Sequence, residues 1–128
     1  MELIAAILIA LVLAFVALTV LWKRRNRIPP AEAEKIRGIL RAAAAQADPH
    51  RQVLDAEKAL DRALRLKGFG GSFGEMLKKA GSGLPNREAV WAAHKLRNRI
   101  APEPDVSVTP AQARGALAAF EKAVRSLL

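Results

Sequence analysis

Hydrophobic and polar positions are spread very unevenly along this chain. Leu3 to Trp22 are twenty consecutive uncharged residues, with Thr19 the polar member among them. As a helix they span ~30 Å, the thickness of a bilayer's hydrocarbon core, so the pattern predicts a transmembrane helix. A cleavable signal peptide would place basic residues before a shorter apolar stretch and a small-residue cleavage site after it. Here Met1-Glu2 leads straight into the apolar run, and Lys23, Arg24, Arg25 and Arg27 follow it directly. Residues 1–27 therefore read as a retained anchor with a basic flank. The positive-inside rule puts that flank in the cytoplasm, the N-terminus outside and Trp22 at the interface. The expectation is a single-pass protein of the cytoplasmic membrane, with the bilayer as its first partner.

Ile28-Pro29-Pro30 cannot continue a helix and reads as a linker over 28–30. Beyond it the hydrophobic period shortens to that of amphipathic helices, and residues 31–128 form the candidate soluble domain. Start and stop signals divide it into helices over about 31–47, 49–67, 73–80, 87–101 and 110–127. Asp48 with Pro49 opens the second, Ser72 and Glu75 form a capping box at the third, Asn86 caps the fourth, and Thr109-Pro110 opens the last. Gly68, Gly70 and Gly71 predict one tight hinge, and Gly81-Ser82-Gly83 another. Neither follows a strand or carries a Gly-Lys-Ser/Thr sequence, so neither is a phosphate loop. No segment alternates with a strand's period, and no repeat or long heptad run occurs. The fold class is therefore all-α, an N-terminal transmembrane helix followed by a four- to five-helix bundle.

Composition narrows the chemistry. The chain of 128 residues has no Cys and two His, which excludes a disulfide framework, thiolate metal ligation and a cysteine nucleophile, and leaves too few histidines for a His-only zinc site. No metal or cofactor is expected. The net charge is +9, and residues 31–128 alone hold 17 basic and 11 acidic side chains, or +6. That excess favours anionic partners such as RNA or the inner leaflet.

One helix carries polar groups where apolar ones belong. With Val90 at zero and ~100° per residue, Leu96, Ile100 and Ala93 fall at roughly 240°, 280° and 300°, and Arg97 near 340°, inside the apolar arc. Lys95 and Arg99 fall on the opposite, solvated side. His94 and Asn98 flank Arg97 at helical-neighbour spacing. A cation in that arc needs a buried partner or a route to an interface. The helix over 49–67 offers one, because Glu57 borders the stripe of Val53, Leu60 and Leu64, with Asp61 one turn on. Two readings stay open: an ion pair of Arg97 with Glu57 or Asp61 that holds two helices in register, or an anion site built on Arg97, Asn98 and His94 with Arg99 and Lys95 beside it. Trp91 and Phe120 read as packing residues, and His50 as a surface residue.

Lys95-Leu96-Arg97-Asn98-Arg99-Ile100-Ala101, late in a helix of a small all-helical domain, resembles the signature region of HEPN domains. The resemblance extends over 48–105, most of the soluble part, and implies four or five helices, pairing as a homodimer, and in many members a metal-independent ribonuclease. In that family an Arg, a polar residue, three variable residues and a His form the motif. Arg97 and Asn98 match its opening, and Pro102 stands where the His would be. The family's Arg is thought to hold the scissile phosphate while its His transfers protons, and Pro has no titratable group for that role. The resemblance thus implies a membrane-anchored module that holds RNA, a nucleotide or a protein partner without catalysis. The alternatives are a docking or dimerisation platform that binds no nucleic acid, and a ribonuclease with another base.

Overall fold

A computed structural model of the chain, describing residues 1–100 and 107–128, is all-helical, with no strand among those residues. The first helix, α1 (Glu2–Arg25), buries none of its side chains and is long and apolar enough to cross a membrane. The bundle follows as α2 (Pro30–Ala44), α3 (Pro49–Leu66), α4 (Phe73–Ala80), a single 3-10 turn (Gly81–Gly83), α5 (Arg87–Ile100) and α6 (Pro110–Leu127).

Most helix starts follow from local chemistry. Asp48 is extended and accepts a hydrogen bond from the His50 backbone N–H at 3.0 Å, with Pro49 in the first turn, where a missing N–H costs nothing. Ser72 with Glu75 and Thr109 with Gln112 each form reciprocal capping boxes. Asn86 departs from the expected pattern. Its amide Nδ2 donates to the Ala119 carbonyl of α6 at 3.0 Å, and its Oδ1 is buried without a protein hydrogen bond. The side chain therefore ties α5 to α6 instead of capping α5.

Helix ends show two further differences. α2 stops at Ala44, short of the expected 47, because the chain must reverse before Pro49 and the residue ahead of a proline avoids helical geometry. A carbonyl of its last turn is met from the next helix: the buried Gln52 donates to the Ala43 carbonyl at 3.1 Å. α3 ends in a Schellman turn, with Phe69 N–H on the Leu64 carbonyl, Gly68 N–H on the Arg65 carbonyl, and Gly68 at φ 94°. Gly81–Gly83, by contrast, stays right-handed and extends α4 by a turn, so it is not a second left-handed hinge.

α3 is the central helix. Val53, Ala56, Leu60, Ala63 and Leu64 are fully buried against Ile36 and Ala43 of α2, Met76 and Leu77 of α4, Val90 of α5 and Phe120, Ala123 and Val124 of α6. Alanines on α3 and α6 let the two backbones approach closely. α2 and α3 run antiparallel, since Glu32 pairs with Arg62 at 2.7 Å near one end and Gln52 meets Ala43 near the other.

The segment 28–30 is not a free linker. Ile28 is 3% exposed and belongs to the core, Pro30 is already helical, and the Asn26 carbonyl accepts a hydrogen bond from Lys67 Nζ at 2.9 Å. The apolar face of the bundle takes in Ile28 because Pro29, in an extended conformation, turns the chain back onto it. A fragment 28–128 should accordingly be strongly helical and melt cooperatively by circular dichroism. A fragment 31–128 should be less stable by ~2 kcal/mol, the worth of one buried Ile. Equal stability of the two would show that Ile28 is not a core residue.

Candidate functional site

The polar side chains of α5 that lie at the core edge converge on Glu57. This residue sits one turn before Leu60 and Asp61 on α3, at the margin of the apolar stripe, and is 7% exposed. An isolated carboxylate at that depth would cost several kcal/mol, and α5 supplies its partners. His94 Nδ1 lies 2.9 Å from Glu57 Oε2, and Arg97 Nε lies 3.1 Å from Oε1. Asn98 Nδ2 approaches His94 Nε2 at 3.2 Å. The ring thus presents Nδ1–H to the Glu57 carboxyl and Nε2 to the Asn98 amide. Both ring nitrogens are then engaged.

Apolar groups complete the enclosure. The Phe73 ring tilts over the imidazole with centroids 4.8 Å apart, and Trp91 meets it edge-on at 5.9 Å. Gly74 of α4 lies beside His94 as well, close enough that an added Cβ would stand 3.7 Å from Nε2. Burial pushes the Glu57 carboxyl above the usual range for Glu, and the hydrogen bond from His94 and the charges of His94 and Arg97 pull it back only in part.

The structure orders these residues differently from the helical wheel. His94 is the buried one, at 9% exposure, whereas the Arg97 side chain is 37% exposed. A wheel assigns angle and not reach, and the long Arg97 side chain extends from the core edge to the surface. There it lines a cleft of about 400 Å³ together with Arg51, Leu54, Lys58 and Asp61. Asp61 does not pair with Arg97: it holds Arg65 at 2.9 Å along its own helix. Lys95, Asn98 and Arg99 are exposed, with Lys95 lining a different surface depression beside Trp91. Only Asn98 of these three joins the Glu57 network. Trp22, Lys23, Arg24, Arg25 and Arg27 are exposed at and beyond the end of α1.

Four residues that the structure brings into play carry weaker signals in the sequence. Phe73 follows the capping residue of a short helix and gives no sign of its imidazole contact. Arg51 and Lys58 look like ordinary solvated cations on α3. Gln52 lies one turn before Ala56 on the buried face, and a polar residue at that spacing is a signal for a buried hydrogen bond. No group of three or more His, Asp or Glu able to hold a metal occurs among the described residues. Pro102, where the HEPN motif would place its His, lies outside the described residues.

Comparison with protein-family models, with curated proteins and with solved structures finds no match. The likeness to HEPN domains thus rests on the residues quoted above.

Removing Glu57 leaves a buried imidazole and a half-buried guanidinium without their acceptor. Glu57→Ala should therefore destabilise the bundle by ~3 kcal/mol. Arg97→Ala should cost about 1–2 kcal/mol, because Glu57 keeps His94 and solvent screens the exposed guanidinium. Arg99→Ala should cost under about 0.5 kcal/mol. Urea titration of the 28–128 fragment measures all three, and equal effects of Arg97→Ala and Arg99→Ala would contradict this geometry.

The raised carboxyl has a consequence for pH. The folded chain holds the Glu57 proton more tightly than the unfolded chain does, so unfolding releases it. The contribution of this group is full below the ordinary value of 4.5 and is lost as pH rises through the raised folded value. The stability of the unaltered fragment relative to Glu57→Gln should therefore fall as pH is raised from 4 towards neutrality. A difference that grows with pH would show that the ion pairs, and not burial, govern this carboxyl.

Proposed function

We propose that this chain is a single-span membrane protein whose basic helical bundle is held at the cytoplasmic face as a binding module for an anionic partner, of which RNA or a nucleotide is the first candidate. The observation that carries the reading is α1, a helix of 24 residues with no buried side chain and with Lys23, Arg24 and Arg25 in its last turn. Its bare apolar surface has no cover among the described residues, and a bilayer would supply one. The basic end then lies inside, by the positive-inside rule.

Two features support binding over catalysis. His94 has both ring nitrogens in hydrogen bonds and packs under Phe73, so it is poorly placed to exchange a proton with a substrate. Arg97 uses its Nε on Glu57 while its side chain reaches the cleft bordered by Arg51 and Lys58. That edge presents three cations on two helices beside three carboxylates, Asp55, Glu57 and Asp61, which are paired with Lys58, Arg97 and Arg65 respectively. The reading makes Arg51, Lys58 and Arg97 the phosphate contacts and gives His94, Glu57 and Asn98 the task of holding Arg97 in place.

A second reading, a docking platform that binds no nucleic acid, draws on a mostly apolar groove of about 290 Å³ between α5 and α6, lined by Ala89, Ala92, Leu96, Gly115 and Ala116 among others. Two measurements separate the possibilities. Protease added to intact cells should spare a C-terminal tag, and digestion of that tag would overturn the topology. The 28–128 fragment should bind single-stranded RNA at low salt without cutting it, and three phosphate contacts predict a loss of about tenfold or more in affinity between 50 and 200 mM salt. Combining Arg51→Ala with Lys58→Ala should weaken that binding while leaving the melting profile unchanged. Absence of salt-sensitive binding would favour the docking platform, and chelator-resistant cleavage that vanishes with Arg97→Ala would identify a ribonuclease.

A further inference from the structure

Beyond the anchor and the cleft, we infer that the C-terminal end of α3 is a second foothold on the bilayer, with Leu66 and Lys67 resting on the anionic leaflet around the anchor; the inference rests on reading α1 as the membrane span. Position is the first argument. Lys67 Nζ donates to the Asn26 carbonyl at 2.9 Å, one residue past the end of α1, and Ile28 is locked into the core two residues later. The chain has no free tether there, so the end of α3 lies beside the point where the span leaves the hydrocarbon. The antiparallel pairing of α2 and α3 puts the turn at 45–48 at the opposite end, about 22 Å away for a helix of the 15 residues of α2.

Exposure is the second argument. Leu66, at 40%, is the one large hydrophobic side chain of the bundle that is exposed among the described residues. It follows Leu64 by two positions, roughly 200° around the helix, and so faces away from the stripe that enters the core. The Schellman turn does not use it either, since the turn's hydrogen bonds run from Phe69 to Leu64 and from Gly68 to Arg65. An aliphatic side chain in that position gains from the headgroup boundary what it cannot gain from the bundle.

Charge is the third. Lys23, Arg24, Arg25 and Arg27 surround the exit of the span, and Lys67 adds a cation from the bundle itself. The nearby acids are already committed: Asp61 is bound to Arg65 at 2.9 Å and Glu75 accepts from the Ser72 N–H within its capping box. The face is therefore cationic with one apolar side chain at its centre, which fits an anionic lipid surface. Lys67 can keep its hydrogen bond to Asn26 with its aliphatic stem along the interface.

The absence of Cys makes a direct test possible. Full-length Leu66→Cys and Ala45→Cys chains, each labelled with an environment-sensitive fluorophore, are reconstituted in phosphatidylcholine vesicles containing phosphatidylglycerol. Flotation after an alkaline wash reports insertion of α1. Lipid spin-labelled at the headgroup should quench the probe at position 66 severalfold more than the probe at position 45. The difference should shrink with Lys67→Glu or when phosphatidylglycerol is omitted. Equal, weak quenching at both positions in protein that still floats would overturn the foothold and leave the anchor standing. Release by the wash would overturn the anchor and the foothold together. Disulfide-linked dimers of unlabelled Leu66→Cys chains, with no lipid quenching of the labelled ones, would assign the face to a second copy and refute the proposal.

Discussion

A carboxylate that is 7% exposed constrains this bundle more than any single apolar contact. Hydrophobic burial is tolerant of direction: Leu60 or Phe120 can be packed from many angles at similar free energy. Glu57 is not tolerant, because it needs donors on both oxygens at hydrogen-bond distance. His94 and Arg97 stand three residues apart on α5, so both reach it from one helix face only at one rotation and one axial position of α5 against α3. Once that register is set, Asn86 at the head of α5 falls opposite Ala119 and adds its hydrogen bond to α6. A polar contact in this role contributes uniqueness more than net stability, since the desolvation of Glu57 offsets much of what its partners return.

The same arrangement explains why Arg97 can be held and still reach the surface. Its Nε is engaged while its side chain remains 37% exposed at the cleft. A guanidinium presents donors on several edges at once, so fixing one edge pre-orders the others at low entropic cost. Lysine in that place would have a single ammonium and could serve Glu57 or a phosphate but not both with fixed geometry. The chemistry of the residue thus decides between a lock and a lock that also presents a ligand contact.

How much of this was legible in the sequence depends on the range of the interaction. Caps are local, so Asp48, Ser72-Glu75 and Thr109 mark helix starts within a residue of where they occur. The apolar run of α1 is also local and unmistakable. The polar cluster on α5 was visible as a conflict between residue type and wheel position, yet the wheel could not rank His94 below Arg97 in depth, because side-chain length is invisible to an angle. Asn86 shows the complementary failure. Its type and place satisfy the cap rule, but a carbonyl on α6, 33 residues away, takes its amide, and no local pattern reports that competition. Ile28 was hidden for a further reason: prolines on its C-terminal side break the helical period, and a period is needed to see an apolar residue as a core residue.

The joint between α1 and the bundle follows from that hidden residue. A span followed by a flexible linker would let the domain tumble, and the cationic flank would then act only as a topology signal. Here Ile28 is buried, Pro29 and Pro30 are stiff, and Lys67 bridges back to Asn26. The joint restricts rotation of the bundle against α1, so if α1 spans a bilayer, as proposed, any contact the bundle makes with the leaflet is effectively intramolecular and does not bear the full entropic cost of association. A single leucine and a few cations, too weak to hold a free domain on lipid, become sufficient to orient a tethered one. Were the end of α3 to rest on a leaflet, as proposed, the turn at 45–48 at the opposite end of the α2–α3 pair would be the part held away from it. Arg51 lies near that far turn and Lys58 just past the midpoint of α3; on the proposed reading a bulky polyanion would meet Arg51 at a distance from the like charge of the membrane.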